Sequence, residues 1–469
     1  MSRPPGRGRP AQWRSDRRAT DPSRLAAFDV LRAVDEDGSY ANLIAPVVFA
    51  DAGLTGRDAG FATELAYGAL RQRRWLDAVL AGCVDRPLAE VDPPVLDVLR
   101  LGAYQLLVLG TAPHAAVGET VQLARLVGGE SRSRFVNAVL RRVGERTADE
   151  WVSRVAPDPE ADPLGHLAVV RSHPDWIAAA LHEALRDDGM PGWGDLEDLL
   201  IADNEPPGVT LTARPGRCEV EELLAEPGSR RGRWSPFAVR LGHGSPAAVP
   251  AVRQHRAGVQ DEGSQLVALA LTRAELTGPD RSWLDLCAGP GGKAALLAAI
   301  GAQRGASLIA ADRAPHRAEL VSQAVAGHGE VEVVVADSRA GPWPAGSQDR
   351  VLLDAPCSGL GVVRRRAESR WRKQREDVAE LAVLQRELLT AALAAVRVGG
   401  IVGYATCSPN LAETTEVVAD ALATGSVTQL DVRPLLPEVD RLGEGPALRL
   451  WPHRHGTDGM FLALLRRTA

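Results

Sequence analysis

Apolar positions along the first third of the chain recur at helical spacing. Leu25, Phe28, Leu31 and Val34 make one such face, Phe61, Leu65 and Leu70 a second, and Val95, Val98 and Leu99 begin a third that continues to Leu109. Breaks at Asp92-Pro93-Pro94 and Thr111-Ala112-Pro113 separate the segments, so 21–148 reads as an all-α domain. The polar, proline-bearing stretch 149–169 reads as a linker. His173-Pro174-Asp175-Trp176 opens another helix, and strand candidates at 209–213 and 234–241 predict a small α+β subdomain over 170–252. Over 253–469 short β-prone runs alternate with helical ones, which predicts a doubly wound α/β sheet.

In that last region the strand ends carry chemistry. The run 282–287 leads into the turn Ala288-Gly289-Pro290-Gly291-Gly292-Lys293 and then a helix from Ala294, while the runs 308–311, 331–336 and 350–353 end at Asp312, Asp337 and Asp354. Aspartate is a poor strand residue and costly to bury unpaired, so three carboxylates at one sheet edge point to a ligand rather than to packing. A helix-like run over 378–398 is stopped by Gly399-Gly400, and a buried strand over 401–405 then delivers Cys407 to the same edge, where open α/β sheets bind ligands. By position alone Cys407 is either a small packing residue or a reactive thiol.

Composition narrows the class. A chain of 469 residues holds about two to four domains. With 45% hydrophobic and 24% charged residues it is globular, and no apolar run approaches the ~20 residues of a spanning helix. The first twenty residues lack the apolar core of a secretory signal, which together predicts a cytoplasmic protein. Cys83, Cys218, Cys287, Cys357 and Cys407 show neither CxxC spacing nor nearby histidine pairs, so reduced thiols are expected, with no metal. A net charge of −6 does not suggest nucleic acid, but its distribution does. Six arginines against Asp16 in 1–20 predict a disordered basic arm, and seven basic residues against Glu368 in 364–375 predict either a phosphate grip or a solvated helix face. The only lysines are Lys293 and Lys373, which singles out Lys293 as a position needing a compact ammonium.

The glycine turn allows close backbone approach to a ligand, and Asp312 follows it at the distance of a ribose acceptor. Gly289, Gly291 and Ala294 also satisfy the dinucleotide pattern G-x-G-x-x-A, so an NAD-dependent oxidoreductase is a rival. Acidic second and third strand ends favour an adenosine without pyrophosphate, a description S-adenosylmethionine fits. Asp354-Ala355-Pro356-Cys357-Ser358-Gly359 and Ala405-Thr406-Cys407-Ser408 each place a cysteine just past a strand. Cytosine carbon 5 is too weak a nucleophile to take a methyl group directly. A thiolate adding to carbon 6 turns the ring into an enamine that can.

These residues carry a resemblance. Thr63-Glu64-Leu65-Ala66-Tyr67-Gly68, Leu99-Arg100-Leu101-Gly102-Ala103-Tyr104-Gln105-Leu106 and Phe135-Val136-Asn137-Ala138-Val139-Leu140-Arg141-Arg142 resemble the NusB-type RNA-binding helical domain found before ribosomal RNA methyltransferases. The two cysteine motifs resemble the RNA 5-methylcytosine methyltransferase superfamily. With Gln260-Asp261, Ser264-Gln265 and Thr457-Asp458-Gly459, the chain from Arg24 to Arg467 resembles its RsmB (Sun, Fmu) branch. The resemblance implies an N-terminal NusB-like helical domain and a C-terminal Rossmann-like, S-adenosylmethionine-dependent methyltransferase domain, a monomer acting on a cytosine of small-subunit ribosomal RNA. It implies Cys407 as nucleophile, Cys357 as the thiol assisting product release, and Asp354 as the partner of the N3 edge of the base. Cys287, Ala288, Gly289, Pro290, Gly291, Gly292, Lys293, Asp312, Asp337 and Asp354 would surround the cofactor. Two positions depart from the family pattern: Thr414 stands for an asparagine and Met460 for a phenylalanine. A non-catalytic RNA-binding factor, suggested by the NusB-like half alone, would not need Cys407, Cys357, Asp354 and Lys293 together.

Overall fold

The computed structural model describes residues 20–469, so the basic arm expected over 1–20 lies outside the described residues except for Thr20. The chain divides into two units, Met1–Ala179 with Arg365–Arg372, and Ala180–Arg364 with Lys373–Ala469.

The first unit is helical. Asp21 caps the helix Pro22–Asp37 by accepting from the Arg24 amide at 2.8 Å, and Pro22 opens it with the φ a first turn needs. Its apolar stripe packs with Gly56–Arg71, Arg73–Ala81, Pro93–Leu107 and Pro113–Val143 around a core that includes Leu65, Leu76, Leu99 and Leu140. The last of these helices breaks at Gly129, whose φ of 77° only glycine adopts without strain. Asp97, 1% exposed, is held by Arg32 at 2.6 Å and Arg100 at 2.9 Å. The stretch expected to be a linker, 149–169, is instead part of this unit. Thr147 and Glu150 form a capping box on the helix Ala148–Val155, whose Trp151 is buried with its indole donating to the Val143 carbonyl at 2.9 Å, and Pro163–Val170 is also helical.

Part of the basic run after Arg364 is built into the protein rather than solvated, while Arg366 and Arg375 are exposed. Arg365–Arg372 belongs to the helical unit, where Ala367 enters the core. Arg370 is fully buried and donates to the Ser172 carbonyl at 3.2 Å, Trp371 donates to the Leu70 carbonyl at 2.6 Å, and Glu368 accepts from the Ala41 amide at 3.2 Å. Arg372 donates to the carbonyls of Gly38 and Val34 at 2.7 and 2.8 Å. Arg370 and Arg372 thus serve backbone oxygens within the protein.

The second unit contains two sheets. Strands β1 (Thr210–Ala213), β2 (Arg230–Arg231), β3 (Ala238–Arg240) and β4 (Ala257–Val259) form an antiparallel sheet in the order β2-β3-β1-β4, so the small subdomain reaches beyond the boundary at 252. The large sheet holds β5 (Ser282–Asp285), β6 (Ser307–Asp312), β7 (Val331–Val335), β8 (Gln348–Asp354), β9 (Val396–Thr406), β10 (Val427–Leu430), β11 (Leu448–Leu450) and β12 (Met460–Arg467). Its order is β10-β12-β9-β8-β5-β6-β7, with β11 also on β12. Strands β5 to β9 pair in parallel and β12 runs antiparallel to β9. The chain leaves β5 toward β6 and β7, then returns to its other side as β8. That reversal opens a crevice at the carboxyl ends of β5 and β8.

Gly399-Gly400 does not stop a helix, as its position suggested. The helix Arg375–Ala395 ends earlier, and the glycines lie within β9 as an irregularity opposite Asp349, where the pairing jumps from Gln348 with Val396 to Arg350 with Ile401. Gly399 takes a φ of 81°, and a Cβ on Gly400 would stand 2.7 Å from the Asp349 carbonyl oxygen. Among the described residues no helix is long and apolar enough to cross a membrane.

Candidate active site

Four strands deliver their ends to one edge: β5 ends at Asp285, β6 at Asp312, β8 at Asp354, and β9 just before Cys407. The turn Ala288–Gly292 follows β5 and feeds the helix Gly292–Arg304, with Gly291 at a φ of 107°. Asp312 is buried and accepts from the Gly289 amide at 3.1 Å and the Ala314 amide at 2.9 Å, with Arg317 at 3.3 Å. A Cβ on Gly289 would lie 2.4 Å from its carboxylate, so only glycine permits this approach. Asp337, past β7, is half exposed and paired with Arg339 at 2.7 Å, whose hydrogen bonds pull its acid down to about 2.

The same edge holds polar atoms without partners. Asp285 is fully buried, with Oδ1 accepting from the Cys287 amide at 3.3 Å and Oδ2 unmatched. Burial first, and then the charge of Asp354, push its acid up to about 7. The buried Gln260 carboxamide packs against Gly292 with both its oxygen and its nitrogen unmatched. A buried polar atom without a partner costs ~1–3 kcal/mol, so orphans clustered beside a glycine turn mark a place a polar ligand completes. S-adenosylmethionine fits this set: hydroxyls for carboxylate acceptors, and a sulfonium and an ammonium for an acidic edge.

Next to this cradle lies a pair of thiols. Cys357 Sγ and Cys407 Sγ are 3.3 Å apart, and Lys293 Nζ donates to Asp354 at 2.7 Å. Burial alone would lower the Lys293 ammonium, but Asp354, Cys407 and Asp285 outweigh it and hold it charged. The hydrogen bond to Cys407, then burial and neighbouring negative charge, push the Cys357 thiol well above its ordinary value. Cys287 is pushed up by burial, and so are Cys83 and Cys218, both to about 11. The sequence-predicted residues Cys357, Cys407, Asp354 and Lys293 therefore meet, the glycine turn and Asp312 adjoin them, and Asp337 stands at the exposed rim.

Several residues here have no forewarning in the sequence pattern. Asp285 occupies the same strand-end position as the other aspartates, a signal hidden because the run 282–287 reads as strand straight through it. Glu413, Ser358, Gln385 and Tyr404 form a buried polar cluster behind the thiols and have no local signature. The Gly361 amide donates to the Cys407 carbonyl at 2.9 Å, and the Gly459 amide to the Gly361 carbonyl at 2.7 Å. Arg364 joins Asp458 at 2.8 Å and Asp261 at 3.2 Å, which gives the Gln260-Asp261 and Thr457-Asp458-Gly459 motifs a common ionic anchor. Thr414 is buried and donates to the Asn410 carbonyl at 2.8 Å, and Met460 is buried in the core.

A parallel sheet reversing beside a glycine turn, with acidic strand ends and orphaned polar atoms in the crevice, defines a Rossmann-like, S-adenosylmethionine-dependent methyltransferase. Residues 274–466 match the profile of the 16S rRNA methyltransferase RsmB/F family, and 21–145 match that of the NusB family. The chain belongs to the RsmB family. It is 32% identical to the ribosomal RNA small subunit methyltransferase B of Pseudomonas syringae pv. tomato, over 95% of this chain and 97% of that protein. It is 52% identical to Rv1407 of Mycobacterium tuberculosis, which carries a provisional methyltransferase name, over 96% and 98%. The crystal structure of PH0851 shares the fold, with a TM-score of 0.77 at 22% identity over 95% of this chain and 99% of that one.

Proposed function

We propose that this enzyme methylates carbon 5 of a cytosine in small-subunit ribosomal RNA through a covalent bond between Cys407 and carbon 6 of the base. The observation that carries this reading is the pair of sulfurs at 3.3 Å beside the Lys293–Asp354 ion pair, since one methyl transfer to a more nucleophilic atom needs no thiol, let alone two. The relatives named for small-subunit RNA methylation support the substrate class.

Bound against the glycine turn, Asp285 and Asp312, the cofactor supplies an electrophilic methyl group. Cys407 adds as a thiolate to carbon 6, and the lysine ammonium beside it favours that charged form. N3 takes up a proton from solvent as the carbon–sulfur bond forms, which keeps the ring neutral, and Asp354 accepts a hydrogen bond from that protonated edge. After carbon 5 is methylated, its proton passes to solvent, the electron pair left behind re-forms the carbon 5–carbon 6 double bond, and Cys407 leaves as a thiolate to which the Cys357 S–H donates a hydrogen bond. The helical unit supplies RNA affinity. Bisulfite sequencing of small-subunit RNA from a deletion strain tests the reading. One or more cytosines should lose protection and regain it with the parent gene but not with Cys407→Ala; unchanged protection at every cytosine would refute it.

A further inference from the structure

The side chain of Glu413 has no exposure and links the two cysteine loops. Its Oε1 accepts from the Ser358 amide at 2.7 Å and from Gln385 Nε2 at 3.1 Å, and its Oε2 from the Ser358 hydroxyl at 2.5 Å. Gln385 Nε2 also donates to the Pro356 carbonyl at 2.8 Å, so the neighbours on both sides of Cys357 are tied to one carboxyl group. On the Cys407 side, Tyr404 in β9 donates to the Glu413 carbonyl at 2.7 Å, and Ser408 Oγ lies 3.0 Å from Ser358 Oγ. Three hydrogen bonds from neutral partners thus converge on the two carboxyl oxygens.

Two sulfurs at this separation do not both ionise, so the pair loses one proton and its surroundings decide which sulfur keeps the other. Lys293 stands close enough to Cys407 for the thiol to favour its charged form, and Glu413, whose carboxyl is bonded to the residue after Cys357, acts with Asp354 to favour the protonated form of Cys357. Asp285 faces Lys293 and Asp354, Cys287 faces both carboxyl groups, and Tyr404 and Arg386 lie on the Glu413 side. We propose that Glu413 is a positioning residue that holds Cys357 against Cys407 and keeps the shared proton on Cys357, leaving the negative charge on Cys407 beside Lys293. This rests on the functional reading above and explains why two neighbouring thiols take different roles: one is the nucleophile, the other a hydrogen-bond donor to it.

The test is alkylation of the full-length protein by iodoacetamide across a pH series, with each cysteine followed by peptide mass spectrometry. In the parent, Cys407 is expected to react at lower pH than Cys357. In Glu413→Gln the Cys357 midpoint should fall, and a fall of about one unit gives about tenfold faster Cys357 alkylation at a fixed pH below both midpoints. Glu413→Asp should restore the parental order, which a loss of mere packing would not. Coincident midpoints in the parent would overturn the proposal, and this holds even if Glu413→Gln does not fold. So would an unchanged Cys357 profile in a Glu413→Gln protein that binds S-adenosylmethionine normally. Failure of the functional reading is separately visible, as methyl transfer surviving Cys407→Ala.

Discussion

Two fully buried carboxyl groups stand at this sheet edge, and they are treated in opposite ways. Glu413 is surrounded by donors that leave neither oxygen unmatched, while Asp285 keeps an oxygen with no partner and an acid pushed up to about 7. One end of the site is finished by the protein itself; the other is left for a ligand to finish. Buried polar groups stabilise a fold only when satisfied. The thiol end is thus a rigid brace, and the cofactor end holds unfavourable desolvation that binding relieves.

Removing each carboxyl should therefore move stability in opposite directions. Glu413→Ala strands the Ser358 and Gln385 donors and should cost ~3 kcal/mol in denaturant unfolding, with the transition remaining cooperative. Asp285→Asn should be stabilising near neutral pH. Because the folded acid sits near 7 against an ordinary 3.8, its contribution is fully present below the lower value and is lost as pH rises toward the upper one. The variant's advantage should open across that window and level off above it, at on the order of 4 kcal/mol, with weakened cofactor binding as the cost. A flat difference between variant and parent across that range would mean that Asp285 is not the strained group.

Asp312 lies between these extremes, because the backbone satisfies part of it and a ribose would use the rest. Asp312→Ala should weaken S-adenosylmethionine binding by about 1.5–3 kcal/mol in calorimetry while leaving RNA affinity nearly unchanged. Cofactor binding equal to the parent would remove it from the site. The smallest effect is expected from deleting residues 1–20: a modest loss of RNA affinity and a shallower salt dependence, by roughly 0.7–0.9 in logarithmic slope for each phosphate no longer neutralised, with the modified position unchanged. An unchanged slope would show that the arm's arginines do not touch phosphate.

How far the sequence is legible follows the range of the interactions involved. Asp312, Asp354, the glycine turn and Cys407 are readable because strand, turn and ligand-bearing residue are adjacent in the chain. The brace is not, since Glu413 meets Ser358 across 55 residues and Gln385 across 28. Nothing near Leu411-Ala412-Glu413 marks an acid that will be buried. Arg370 and Arg372 mislead for the same reason: their acceptors are carbonyls more than 190 residues away, such as Ser172 for Arg370. The stretch 149–169 is different, because Thr147 and Glu150 carry a helix-start signal that its prolines and acidic residues obscure. At Gly399-Gly400 the pattern is visible but its cause is ambiguous, since a strand irregularity and a helix stop both call for glycine at positive φ.

The division of labour between the thiols is the claim on which the proposed chemistry depends. The direct measurement incubates Cys407→Ala and Cys357→Ala separately with target RNA and S-adenosylmethionine, resolves them on a denaturing gel, and maps any shifted band by mass spectrometry. A denaturant-stable protein–RNA complex is predicted only in Cys357→Ala, linked through Cys407, because that variant adds and methylates but releases product slowly. A complex formed by Cys407→Ala would contradict this division, with Cys357 then the nucleophile.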